Sequence, residues 1–79
     1  IYPVGTLVHL ESGRLAVVTE QHETNLLLPT VKVIYNVKKS CFITPEIVDL
    51  SRSMGAGGAD RVVCHELPEK WGIEPMKFL

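Results

Sequence analysis

The chain has 79 residues, is 46% apolar, and carries eight basic and nine acidic side chains for a formal net charge of −1. A chain this short folds as one small domain with little room for an internal cavity. No basic stripe is present to bind a phosphate backbone, and the apolar runs are too short to span a membrane, so we expect neither nucleic acid nor membrane as a partner.

The first third of the chain predicts a β-hairpin followed by an ambiguous leucine run. Alternating side chains predict a strand over residues 6–10, and Gly13 supplies the positive φ of a tight turn before an apolar strand at 15–18. Leu26, Leu27 and Leu28 precede Pro29 without alternation. These leucines form either a short buried segment, the interpretation we favour, or an exposed patch that contacts a partner.

The middle of the chain predicts three further strands. Residues 30–36 alternate most clearly, and a polar turn leads to a strand at 41–44. Pro45 cannot donate to a ladder, so we expect an edge position or a break there. An extended run resumes at 47–50, and residues 61–67 predict the last strand.

The C-terminal tail changes character. Pro68 and Gly72 are placed to begin and end one helical turn, and a second short turn can follow. We expect the large apolar residues of the tail to close the open end of the sheet: Trp71, Ile73, Met76, Phe78 and Leu79. The predicted fold is all-β, a small antiparallel five- to six-stranded barrel of the Src-homology type with a short C-terminal helical turn.

No catalytic or metal-binding pattern stands out. The histidines and cysteines lack the paired spacing that aims two ligands at one ion, and Cys64 and His65 are strand neighbours that point to opposite faces. A nucleophile elbow is also missing. We therefore predict no catalytic, cofactor-binding or metal-binding residue in the chain. Two cysteines favour free thiols in a reducing cytoplasm over a disulfide, although the bridge stays open.

The glycine-rich stretch "DLSRSMGAGGAD", residues 49–60, is the one candidate ligand loop. It lacks the Lys of a P-loop. It also departs from the [D/N]xSxxG loop of the PilZ barrels, because Gly55 comes one residue late and the upstream arginine pair is missing. A flexible connection is the favoured interpretation. The weak ligand candidates are Asp49, Ser51, Arg52 and Arg61, and the alternative function is a nucleotide- or nucleic-acid-binding barrel, PilZ-like or ribosomal-barrel-like.

Four phrases in order carry a family resemblance: "YPVGTLVHLESGRLAVV", "PTVKVIYN", "VDLS" and "GIEPMKFL". Together they resemble the segment that follows the catalytic domain in bacterial HD-GYP proteins, which are metal-dependent phosphohydrolases and in many cases cyclic di-GMP phosphodiesterases. The family's catalytic His-Asp and Gly-Tyr-Pro motifs are not in this sequence, so no catalytic residue is carried over. The resemblance implies a non-catalytic C-terminal accessory domain whose parent uses a pair of metals, iron or manganese.

The sequence thus predicts an interaction domain. We read residues 1–79 as a single domain, and because the chain starts at Ile1 we expect a fragment of a longer cytoplasmic protein. Its expected partners are its own upstream catalytic domain or a second copy in a homodimer. The predicted contact surface consists of exposed apolar groups: Leu26, Leu27, Leu28, Trp71, Met76 and Phe78.

Overall fold

A computed structural model describes residues 2–52 and 60–79, so residue 1 and the glycine stretch 53–59 lie outside the description. The described elements are five strands, one helical turn and one 3₁₀ turn. In chain order they are β1 (Leu7–Leu10), β2 (Arg14–Glu20), β3 (Thr30–Asn36), β4 (Cys41–Asp49), β5 (Val62–His65), α1 (Pro68–Trp71) and the 3₁₀ helix Pro75–Phe78.

The strands form one antiparallel sheet in the order β4-β3-β2-β1-β5. The predicted all-β class, the antiparallel pairing and the strand number are confirmed. The described strands do not close into a barrel by hydrogen bonding, because β4 and β5 are the two edges of the sheet. Gly13 has φ +83° in the β1–β2 turn, as its position in the sequence predicts.

Of the two outcomes expected at Pro45, an edge strand or a broken strand, the structure has the edge strand. β4 continues through Pro45 as one nine-residue strand at the edge of the sheet. Its register against β3 shifts between Val33 and Tyr35, which pair with Glu46 and Phe42. Pro45 therefore lies inside an irregular stretch where the ladder is already interrupted, so its missing N–H costs little.

Alternation along the strands gives the sheet two apolar faces. The inner face is a cluster of eight buried residues, with Val62 and Leu28 packed beside it: Val8, Leu10, Ala16, Val18, Val31, Val33, Val48 and Leu50. The opposite side, the tail face, is formed by Leu7, Leu15, Val17 and Ile34 together with Ile73 from the C-terminal tail.

The tail follows the predicted pattern of two short turns. Pro68 begins α1, and Gly72 ends it in the left-handed conformation at φ +65°, with its N–H donating to the Pro68 carbonyl. That reversal directs Ile73 onto the sheet, where only 2% of it is exposed. Trp71 and Phe78 pack at the margins of the same cluster, so the tail closes this face as expected.

The favoured interpretation of the leucine run, a short buried segment, is wrong for two of its three residues. Leu26 and Leu27 lie in a turn with 41% and 66% of their surfaces exposed, and only Leu28 packs partly against the inner face. Pro29 supplies the buried anchor of this segment instead. A turn directs successive side chains differently from a strand, so three leucines in a row do not all reach the core.

Candidate functional site

Three of the four weak ligand candidates come together in a turn after β4. The Asp49 carboxylate accepts hydrogen bonds from the Ser51 hydroxyl at 2.6 Å and the Ser51 N–H at 2.9 Å, and His22 Nε2 lies 3.0 Å from the same oxygen. The Ser51 hydroxyl is the largest cause that lowers the Asp49 pKa, with the Ser51 N–H and His22 adding to it. This is an Asx-type turn in which the aspartate organises its own neighbours.

The arginines of the candidate loop are both paired with carboxylates. Arg52 Nε lies 3.4 Å from Asp49 Oδ2, and Arg61 Nη2 lies 2.8 Å from Glu11 Oε2 on the β1–β2 turn. Arg61 therefore belongs to a different part of the surface from the Asp49 turn. Gripping a phosphate requires arginine N–H groups that are available to it, and here each exposed guanidinium uses part of its donors on a carboxylate.

Asp60 anchors the start of β5, and the sequence analysis did not single it out. Its carboxylate accepts hydrogen bonds from the Ser12 hydroxyl at 2.6 Å, the Ser12 N–H at 3.0 Å and Arg14 Nη2 at 3.2 Å. The side chain is only 5% exposed. Burial alone would raise the Asp60 pKa, but the bonds from Ser12, the Arg61 N–H and Arg14 outweigh it and lower the value.

A second polar cluster joins β1 to the tail. His9 Nδ1 lies 2.8 Å from Glu66 Oε2, and Lys70 Nζ lies 3.8 Å from Glu66 Oε1. The hydrogen bond from His9 is the main cause that lowers the Glu66 pKa. The Trp71 indole N–H also lowers the Glu66 pKa, because it favours the ionised Glu66 carboxylate. The buried Nε1 of Trp71 nevertheless does not reach hydrogen-bond geometry with any described residue.

The predicted contact surface divides into two parts that the structure does not bring together. Leu28 packs against the inner face, whereas Trp71 and Phe78 pack against the tail face on the other side of the sheet. We call the turn of Leu26 and Leu27 the leucine turn. It borders a groove of about 550 Å³ that is lined by Tyr2, Asn25, Leu27, Leu28, Arg61 and Val62.

A second group of exposed apolar residues surrounds the tail. Phe42 of β4 stacks on Phe78 with ring centroids 6.4 Å apart, and both Phe42 and Met76 are mostly exposed, at 57% and 70%. Met76 and Leu79 lie over Gly5, where an added Cβ would come within 3.2 Å of the Met76 sulfur. We call these residues the tail surface: Gly5, Phe42, Met76, Phe78 and Leu79.

The sequence signals for these sites differ in strength. Asp49 and Ser51 sit two residues apart, so their contact is local and readable from the pattern. The partners of Asp60 and Glu66 lie 48 and 57 residues away in the chain. Such pairs depend on strand order and register, which a single sequence does not display. Phe42 gave no signal either, because its stacking on Phe78 requires β4 to lie beside the docked tail.

Two observations concern metals and membranes. Among the described residues, no group of three or more His, Cys, Asp or Glu is placed to hold a metal ion. The described part of the chain therefore does not fit the metal pair that the resemblance implies.

A separate finding is that no helix in residues 2–52 or 60–79 has the length and apolar character needed to cross a membrane.

The fold and its surfaces define the chain as a small antiparallel all-β unit with an apolar tail docked on one face. Over 73 residues, 92% of the chain, it is 52% identical to the cyclic di-GMP phosphodiesterase PA4108 of Pseudomonas aeruginosa. The chain spans 17% of the length of that relative. No family model and no solved structure matches the chain. The predicted resemblance to an accessory segment of a cyclic di-GMP phosphodiesterase is confirmed.

Proposed function

We propose that the chain is a non-catalytic accessory domain of an HD-GYP-type, metal-dependent cyclic di-GMP phosphodiesterase. The observation that carries the proposal is its 52% identity to a segment that makes up 17% of the cyclic di-GMP phosphodiesterase of P. aeruginosa. The domain contributes protein contacts, and hydrolysis takes place on the remainder of the parent. We propose that the parent's metal pair, iron or manganese, belongs to that remainder. We place the protein in the cytoplasm.

The tail surface is the better candidate for the contact with the catalytic part. It combines two groups of the tail: Phe42 stacks on Phe78, and Met76 and Leu79 lie over Gly5. Large aromatic and Met side chains are enriched in interface cores. The leucine turn offers two exposed leucines beside a groove, so it is the smaller contact or the surface for a second copy.

A direct test separates accessory from catalytic function. The 79-residue chain is mixed with the P. aeruginosa relative from which the matched segment has been deleted. We expect binding in calorimetry and a raised thermal midpoint of the truncated relative, because a ligand that binds only the folded state stabilises it. The double variant Met76→Ser, Phe42→Ser should weaken this binding more than Leu27→Ser does. Hydrolysis of cyclic di-GMP by the chain alone, with Mn²⁺ or Fe²⁺ present, would contradict the proposal.

The alternative function is a nucleotide-binding barrel, and it has less support. Arg52 and Arg61 are each paired with a carboxylate, at 3.4 and 2.8 Å. Calorimetry of the chain with cyclic di-GMP and with a short RNA tests it. Micromolar binding that is lost in Arg61→Ala would replace the accessory proposal with this alternative.

A further inference from the structure

A cysteine, a histidine and a glutamate lie together at the β1–β5 edge of the tail face. Cys64 of β5 is exposed and is the direct register partner of His9 on β1. Residues directly opposite in an antiparallel pair have their Cβ atoms about 4.5–5.5 Å apart and project from the same face. Glu66 continues the pairing beyond β5, with its N–H donating to the Leu7 carbonyl at 2.8 Å.

A β-bulge places the thiol on this face. The register passes from Leu10 opposite Val62 to His9 opposite Cys64, so Val63 is the extra residue. In a regular strand, Cys64 would share the face of Val62, which packs beside the inner cluster. The bulge reverses the alternation and turns the thiol toward His9. Re-aiming a side chain in this way is a known use of bulges.

The glutamate orients the imidazole. The His9 Nδ1–Glu66 Oε2 distance is 2.8 Å, and Glu66 is 12% exposed, with a lowered pKa caused chiefly by this bond. When the neutral imidazole donates its Nδ1–H to this carboxylate, Nε2 carries the lone pair. A carboxylate that orients a histidine as a base is the arrangement found in nucleophile–histidine–acid sites.

We propose that Cys64 is a thiol–disulfide exchange site, with His9 as its base and Glu66 as the residue that positions His9. The Cys64 proton passes to His9 Nε2, either after rotation of the Cys64 side chain or through one water. The sulfur then attacks a small disulfide, one S–S bond forms as the other breaks, and the departing thiolate takes the proton from His9. Cys64 is oxidised to a mixed disulfide, and the reagent is reduced to one thiol.

The chain carries its own control thiol. Cys41 is also exposed and also lies on an edge strand, but its register partner is Asn36. An amide cannot serve as a base for the thiol. With one reagent, the ratio of the two modification rates within one molecule is independent of concentration, and its change in variants of His9 or Glu66 reports the effect of that pair.

The experiment measures that ratio in the 79-residue chain. The protein is incubated with glutathione disulfide at neutral pH, quenched with acid over time, and each cysteine peptide is quantified by mass spectrometry. We expect Cys64 to react about tenfold faster than Cys41, which is a small rate increase for a thiol assisted by a base. His9→Gln should bring the two rates within about twofold, and Glu66→Gln, which keeps the imidazole but not its carboxylate, should give an intermediate ratio.

The outcomes are decisive in either direction. Equal rates in the wild type, or a faster Cys41, overturn the proposal. A ratio that is unchanged in both variants also overturns it, because the reactivity of Cys64 would then owe nothing to its neighbours. Far-UV circular dichroism and the Cys41 rate serve as checks that each variant is folded, since Cys41 lies at the opposite edge of the sheet.

Discussion

The two faces of the sheet are completed in different ways. The inner face draws its buried residues from the strands and from Leu50 just after β4. Val48 of one edge strand belongs to this cluster, and Val62 of the other edge strand packs against it. The tail face has four buried strand residues and needs Ile73 from outside the sheet. An apolar sheet face that the strands do not bury among themselves must be covered by another element. In this chain a tail of about a dozen residues does so.

The largest expected effect comes from deleting residues 71–79. The deletion removes Trp71, Ile73 and Phe78 from the tail face and leaves Leu7 and Leu15 in water. Each large apolar group contributes about 1.5–3 kcal/mol on burial, and a small domain has only about 5–15 kcal/mol in total. We therefore expect loss of the cooperative thermal transition in circular dichroism. Removing Leu79 alone, which is 52% exposed, is the control, and a full-length midpoint in the longer deletion would contradict this account of the tail face.

A matched pair of core substitutions separates the faces. Ile73→Ala and Leu10→Ala each remove a buried aliphatic group, from the tail face and the inner face respectively. Both should cost about 2–5 kcal/mol in urea unfolding. Hydrogen exchange distinguishes them, because Ile73→Ala should speed exchange in the tail beyond what its loss of global stability explains, whereas Leu10→Ala acts through global unfolding alone. Equal exchange patterns would mean that the tail and the strands form one cooperative unit.

The Asp60 anchor at the start of β5 is expected to show a smaller, pH-dependent effect. Asp60→Asn replaces a carboxylate that accepts bonds from Ser12 and Arg14, and it should cost about 1–3 kcal/mol at pH 7. Because folding lowers the Asp60 pKa below its ordinary value of 3.8, the contribution is complete above that value and is lost as the pH falls through the folded pKa. The variant and the wild type should therefore converge in urea titrations at strongly acidic pH. A constant difference down to pH 2 would show that the charge is not what matters.

The smallest effect is expected outside both faces. Leu27→Ser changes a side chain that is 66% exposed, so stability should change by no more than about 0.5 kcal/mol. Leu28→Ser, which alters a neighbour packed beside the inner face, is the destabilising comparison. If Leu27→Ser lowers the thermal midpoint as far as Leu28→Ser does, the leucine turn is part of the core rather than a free surface.

Much of the strand pattern was readable from the sequence, and the side-chain constellations were not. Residues 30–36 alternate, and Gly13 and Gly72 mark reversals that require positive φ, so the corresponding elements were predicted correctly. The burial of Leu26 and Leu27 was predicted wrongly, because hydrophobicity alone does not distinguish a turn from a buried strand. The Cys64–His9 pairing depends on the extra residue Val63 in β5. A shift of one residue reverses every later side chain, and nothing in a single sequence marks where the shift falls.

Pro45 also affects the tendency of the chain to form fibres at high concentration. An exposed edge strand normally offers a template on which another chain can add a strand, and fibrils grow by repeating that step. On β4 the template is interrupted in its middle by a residue without an N–H, where the register is already broken. The other edge, β5, is only four residues long. Neither edge offers a long, regular ladder, so we expect concentrated solutions of the folded chain to resist fibre formation even though both edges carry exposed apolar side chains.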